Sequence, residues 1–250
     1  MRIPVLKGTI KRRLLVNFRV DAEVMRRQLP EPFRPKLHQG FAIAGICLIR
    51  LEEIRPKGFP GFVGITSENA AHRIAVEWTD ANGALREGVY IPRRDTSSRL
   101  NHWAGGTLFP GEHHLARFSV SDDGQSIDLA MQAKDGAASL RVSGHASDAL
   151  PGTSCFESLL AASAFFEGGS VGYSVTQDET RLDGIALHTL EWKVNPLTVS
   201  LVESSYFEDT QRFPSGSVIF DHALIMRDLL HEWHQEEDMV IERWTTQPIR

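Results

Sequence analysis

The chain alternates between short apolar runs and clusters of turn-forming residues, a rhythm that reads as strand after strand. Leu14-Leu15-Val16-Asn17-Phe18-Arg19-Val20 predicts a strand, and Asp21 can then cap a short helix over Ala22 to Leu29 that stops before Pro30. Phe41 to Leu51 is almost continuously apolar yet holds Gly45 and several β-branched residues, which suits a strand buried on both faces. Pro56-Lys57-Gly58-Phe59-Pro60-Gly61 forces a loop. Ala71 to Trp78 fits a strand, Asp80-Ala81-Asn82-Gly83 a turn, and Leu85 to Ile91 the returning arm of a hairpin. Strands over His114 to Val120, Ile127 to Gln132 and Ser139 to Ser143, joined by Asp122-Asp123-Gly124 and Lys134-Asp135-Gly136 turns, extend this into an antiparallel meander.

The clearest helix spans Cys155 to Glu167, with Ser154 and Glu157 forming a capping box and Gly168-Gly169 ending it. Strands are expected again at His188 to Val194 and around Leu197 to Val202, with a last one at Ser217 to Met226. No internal repeat, low-complexity segment or linker divides the chain, so residues 1–250 are expected to form a single β-rich α+β domain.

Charge narrows the partners. Against 32 acidic residues stand 27 basic ones, a formal charge of -5, so no global positive field exists to hold nucleic acid or an anionic membrane. Cys47 and Cys155 lie in apolar surroundings without metal-ligand spacing and read as buried free thiols; the lack of a disulfide framework points to a reducing compartment. The stretch leading to Lys11-Arg12-Arg13 has no apolar signal-peptide core, and the longest apolar run, Phe41 to Ile49, is too short to span a bilayer. A cytoplasmic location is the resulting expectation.

Only six of the 27 basic residues are lysines. Arginine offers a rigid fork for carboxylates but cannot act as an amine nucleophile. The distinction matters at Gly88-Val89-Tyr90-Ile91-Pro92-Arg93-Arg94-Asp95, which resembles the acetoacetate decarboxylase segment where a strand ends in proline and two lysines; both are arginine here. Ser67-Glu68-Asn69-Ala70 resembles that family's glutamate-bearing segment, and Leu29-Pro30-Glu31-Pro32-Phe33 its Leu-Pro-x-Pro turn. A closer resemblance, from about Arg12 to Val202, is to the domain of unknown function 2071 (YqjF-like) family. It is carried by Phe33-Arg34-Pro35, Gly45-Ile46-Cys47-Leu48-Ile49-Arg50, Glu68-Asn69-Ala70-Ala71-His72-Arg73 and Ile91-Pro92-Arg93-Arg94-Asp95-Thr96.

The resemblance implies an acetoacetate decarboxylase-like antiparallel β-barrel with a few flanking helices and an internal pocket, in a fold that often forms homo-oligomers. It also implies the loss of Schiff-base decarboxylation, because a guanidinium stays protonated and forms no such imine. The remaining candidate cluster is Glu68, Arg93, Arg94, Asp95 and Arg99. Neighbours on a strand face opposite ways, so one of Arg93 and Arg94 is expected to enter the pocket; Arg93 is chosen, paired with Glu68 as the catalytic candidates. Arg93, Arg94, Asp95 and Arg99 are the residues expected to bind substrate, a small carboxylate or keto compound. Two other readings stay open: turnover of a lyase or hydrolase-like kind, and a ligand-sensing or structural protein whose glutamate-arginine cluster only braces the barrel.

No metal or cofactor is expected. Consecutive His113 and His114 would splay to opposite faces of a strand, and His102 completes no ligand spacing with them. Ala104 to Gly111 lacks the lysine of a phosphate loop and reads as a turn; Ser154 reads as a helix cap. Lys193, in the strand-like Leu190-Glu191-Trp192-Lys193-Val194, is expected to lay its stem on apolar surface and its amine in water.

Overall fold

The computed structural model describes residues 4–105, 110–178 and 180–241. The first strand, β1 (Leu6–Asp21), runs into α1 (Ala22–Arg26), whose first amides, Glu23 and Val24, donate to the Asp21 carboxylate. Two-residue strands β2 (Arg34–Pro35) and β3 (Leu37–His38) precede the long pair β4 (Phe41–Pro56) and β5 (Ile65–Thr79). Then follow β6 (Leu85–Thr96), α2 (Arg99–Ala104), β7 (His113–Asp122), β8 (Ser126–Ala133) and β9 (Ser139–Ala146). The last part contains α3 (Leu159–Glu167), β10 (Val171–Val175), β11 (Arg181–Thr189), β12 (Asn195–Ser204), β13 (Val218–Gln235) and β14 (Met239–Val240).

The strand pairings close into two rings. Both share the wall β13–β1–β4–β5–β6. One ring returns from β6 to β13 through β10 and β11, the other through β7, β8, β9 and β12. The rings part at β6, where Val89 to Ile91 pair with β10 and Arg94 to Thr96 pair with β7. They rejoin at β13, where Ala223 to Ile225 meet β12 and His231 to Gln235 meet β11.

Alternation along the shared wall fills the two rings differently. Leu14, Val16, Ile46, Leu48, Ile74 and Tyr90 face the second ring, and with Ile127, Leu129, Leu140 and Val142 they make a solid apolar core. Leu15, Cys47, Leu51, Ala75, Leu224 and Met226 face the first, where Phe156 and Phe166 pack against them from α3 and the segment before it. Because β4 serves both rings, its residues Ala42 to Leu48 are buried without a break, as its apolar run predicts.

Some expectations are corrected. The ring strands are mainly antiparallel, but β6 runs parallel to both β10 and β7. α3 begins at Leu159 with Ser158 as its cap, four residues later than expected; Ser154 Oγ accepts from the Phe156 amide and donates to Asp221 of β13 in the segment ahead of the helix. Leu190 to Val194 is a loop in which Lys193 is exposed, the strand being β11 upstream. The last long strand reaches Gln235, well beyond Met226. Residues 106–109 of the expected glycine-rich turn lie outside the described residues.

Candidate functional site

The first ring encloses a cavity of about 130 Å³. Its wall is largely aliphatic, with Ile49, Leu51, Ile65, Ile91, Ile185 and Leu187 among the lining side chains, and into this apolar lining project Arg13, Arg73 and Arg94. No lysine lines it among the described residues.

Arg94 reaches the cavity because of an irregularity at Pro92. Val89 and Ile91 face the cavity, and strict alternation would put Arg93 there next. The β5–β6 register instead advances from Ile74↔Tyr90 to His72↔Arg93, two residues on one strand against three on the other. This is a β-bulge, placed where a proline without an amide hydrogen can be accommodated. The extra residue reverses the facing of everything after it, so Arg94 joins the cavity row opposite Ala71, and Arg93 joins the core row opposite His72.

Arg93 is therefore not a pocket residue. Its guanidinium is almost fully buried and binds Asp95 through Nε and Nη2 at 2.8–3.1 Å, and Asp135 at 2.8 and 3.0 Å. His114 Nδ1 lies 3.2 Å from the same Asp135, while its neighbour His113 faces the cavity, so the two histidines do point apart. Burial pushes the Asp95 carboxyl upward, opposed by Arg93. Asp95 borders the cavity, but its carboxylate is committed to Arg93.

Glu68 likewise pairs elsewhere: with Arg12 at 2.5 Å and Arg50 at 3.2 Å, in a network that continues through Asp122 to Arg227. Arg99 stands exposed at the start of α2. Of the expected cluster, the structure joins Arg93 with Asp95 and places Arg94 alone among the arginines of the cavity wall contributed by β6. Arg13 and Arg73 were not among the expected site residues. The available signal was Arg73 itself, a charged residue inside the apolar strand Ala71 to Trp78 and thus in need of a buried reason.

None of the three cavity arginines is ion-paired with a carboxylate among the described residues. Arg94 Nε donates to Ser174 Oγ at 2.9 Å, and burial lowers its pKa to about 10 against the pull of Cys47 and Asp183. Arg73, also brought down to about 10 by burial, donates to Asn17 Oδ1 and lies 4.7 Å over the Phe166 ring, while its Nε makes no hydrogen bond. Arg13 Nε donates to Cys47 Sγ at 3.4 Å, and its Nη1 is buried without a partner. Buried cations without countercharge are costly, so this grouping is a feature the fold maintains against its own electrostatics. His113 Nδ1 lies 3.1 Å from Gly111 O, and burial followed by the Arg94 charge lowers its pKa to about 3.

A buried relay fixes Arg73 from behind. Asn17, opposite Gly45 on β4, holds Arg73 through Oδ1 and places Nδ2 3.0 Å from His222 Nε2; His222 Nδ1 in turn meets Asp221 Oδ2 at 2.6 Å. These contacts select the His222 tautomer protonated on Nδ1, leaving Nε2 to accept from the amide. Burial raises the Asp221 pKa, but bonds from His222, Ser154 and the Cys155 amide outweigh it and leave the group at about 2. Gly45 is needed because a β-carbon there would sit 2.2 Å from Val16 O and crowd Asn17 Oδ1.

The architecture has counterparts among solved structures. Acetoacetate decarboxylase from Legionella pneumophila subsp. pneumophila str. Philadelphia 1 matches with a TM-score of 0.58 at 9% identity, over 94% of this chain and 88% of that one. An acetoacetate decarboxylase-like enzyme from Sphingomonas wittichii RW1 matches at 0.54 and 10% identity, over 95% and 94% of the two chains. The enduracididine biosynthesis enzyme MppR, complexed with pyruvate, matches at 0.55 and 12% identity, over 96% and 91%. At such identities the likeness establishes the fold alone. A comparison with curated proteins returned no match. The model of the DUF2071 family, described as an uncharacterized conserved protein, matches residues 8–217, from within β1 to beyond β12, and the chain belongs to that family.

Proposed function

We propose that the cavity of the first ring binds a small carboxylate, with 2-oxo acids the favoured class. The observation that carries this reading is the convergence of Arg13, Arg73 and Arg94 on a largely aliphatic cavity, none of them ion-paired with a carboxylate among the described residues. An anionic head group would supply the missing countercharge, and the guanidinium fork suits a planar carboxylate. The aliphatic wall would cover a short carbon chain, and the volume of about 130 Å³ favours a ligand of few heavy atoms. MppR, of the same fold, has been solved with pyruvate. The purely structural reading suits a different cluster, Arg93 with Asp95 and Asp135, where the guanidinium is ion-paired with two carboxylates.

Thermal shifts across short carboxylates, pyruvate first, test this. At ligand concentrations about a hundredfold above Kd the expected rise in Tm is roughly 5–10 °C. It should vanish in Arg94→Gln and persist in Arg99→Gln, whose side chain is exposed. Equal shifts in wild type and Arg94→Gln, or no shift with any carboxylate, would refute an anion site in this ring.

A second expectation concerns covalent chemistry through amines. Borohydride added with acetoacetate should leave the intact mass unchanged, because no lysine lines the cavity among the described residues. A reduced adduct on any lysine would restore imine chemistry.

A further inference from the structure

Cys47 is the one thiol of the cavity wall and sits amid its cations. On β4 it lies in register between Leu15 of β1 and Ala71 of β5, with Arg94 next across the sheet from Ala71. Its sulfur accepts the Arg13 Nε–H at 3.4 Å. An independent observation points to a ligand at the same place: Arg73, only 5% exposed, lines the cavity with its Nε unpartnered. Cys155 provides the contrast. It lies outside the cavity beside Asp221, and burial together with that carboxylate pushes its thiol up to about 12.

We propose that Cys47 is the nucleophile of the cavity, placed to attack the electrophilic carbon of a small carboxylate held by Arg13, Arg73 and Arg94. The proposal rests on the anion-binding reading above and adds a covalent step to it. With a 2-oxo acid, the Sγ–C bond forms as the carbonyl π bond breaks, and the electron pair moves to the oxygen. The proton lost by the thiol ends on that oxygen, giving a thiohemiketal with no further reactant consumed. The neighbouring guanidiniums oppose the negative charge that develops on the oxygen, the role of an oxyanion hole. Addition is reversible, so a ligand lacking a leaving group would be held and released, and one with a labile bond beside the new tetrahedral carbon could be cleaved.

Alkylation decides the matter whatever the natural ligand is. Iodoacetate carries the carboxylate that the arginines select, whereas iodoacetamide has the same reactive carbon without the charge; either reaction forms an S–C bond and expels iodide. Ordinary thiols favour the neutral reagent. In the folded protein, peptide mass spectrometry should show Cys47 modified by iodoacetate about tenfold or more faster than by iodoacetamide, from electrostatic steering into the cavity. Arg94→Gln, and independently Arg13→Gln in case one variant folds poorly, should reverse that order, and Cys155 should remain unmodified. Inertness of Cys47 toward both reagents in the folded protein would overturn the proposal. A preference for the neutral reagent that neither arginine variant alters would overturn it as well. The anion site is judged separately: carboxylate stabilisation retained in Cys47→Ser, beside an inert Cys47, means that the binding reading stands and the nucleophile does not.

Discussion

Replacing Arg93 with alanine is expected to cost about 3–5 kcal/mol of folding stability, the range for breaking a buried ion pair by removing one partner. Arg93 is the sole salt-bridge partner of Asp95 among the described residues, and Asp95 has no solvent exposure. Without it, a carboxylate that burial already pushes toward protonation is left in the core row of β6, opposite Ala70. The adjacent arginine behaves in the opposite way. Arg94→Gln breaks no ion pair and relieves repulsion among three cations, so its stability should change little although ligand binding is lost. Urea unfolding of both variants, with Arg93→Ala/Asp95→Ala as a third, tests the division. The double variant should recover part of the loss, since removing both partners leaves no orphaned charge. A loss under about 1 kcal/mol for Arg93→Ala would mean that the pair contributes little.

Acid should unfold this protein well before its carboxylates are protonated. Burial is the leading reason that the pKa values of His72 and His113 fall to about 3 and that of His231 to about 4. In the unfolded chain each histidine takes up a proton near its ordinary value of about 6.5. Between these values the unfolded state binds more protons, so stability rises with pH: it is complete well above 6.5 and is lost progressively as pH falls from there toward 3–4. At pH 5 the penalty is about 2 kcal/mol for each histidine, a steep loss for one domain. Asp221, held at about 2, adds its own loss only below the ordinary aspartate range. Urea midpoints at pH 7.5 and 5.0 measure the slope, and His72→Phe should flatten it by about a third. His72 suits that substitution because its ring packs 4.6 Å from Tyr206 and neither ring nitrogen is hydrogen-bonded. Equal stability at the two pH values would remove the histidines from the account.

Much of the framework was legible because its signals are local. The apolar run from Phe41, the Asp80–Gly83 turn and the aspartate cap of α1 each state their structure within a few residues. The candidate site was harder to read because its decisive events are not local. Alternation admits one of Arg93 and Arg94 to the cavity, but the choice depends on a bulge whose existence is set by pairing with β5, and Pro92 is only its local trace. The same holds for Ser154, a good cap by sequence, whose hydroxyl is tied to Asp221, 67 residues later, while the helix starts from Ser158. Short β10, only five residues with Gly172 among them, becomes a strand through its parallel pairing with β6 and its ladder to β11. Arg13 and Arg73 acquire meaning only when β1 and β5 are known to face a common interior.

The shared wall also limits how such a sequence can vary. On β4, Ile46 and Leu48 serve the packed ring while Cys47 and Ile49 serve the cavity, and on β5, Ile74 and Arg73 divide the same way. Deleting one residue from either strand would exchange the two sets at once, carrying guanidiniums into the packed core and core side chains into the cavity. The cavity lining in this architecture can therefore drift by point substitution on one face. Changes of length are confined to the connections, such as the one between Pro56 and Ile65, where an added residue shifts no register.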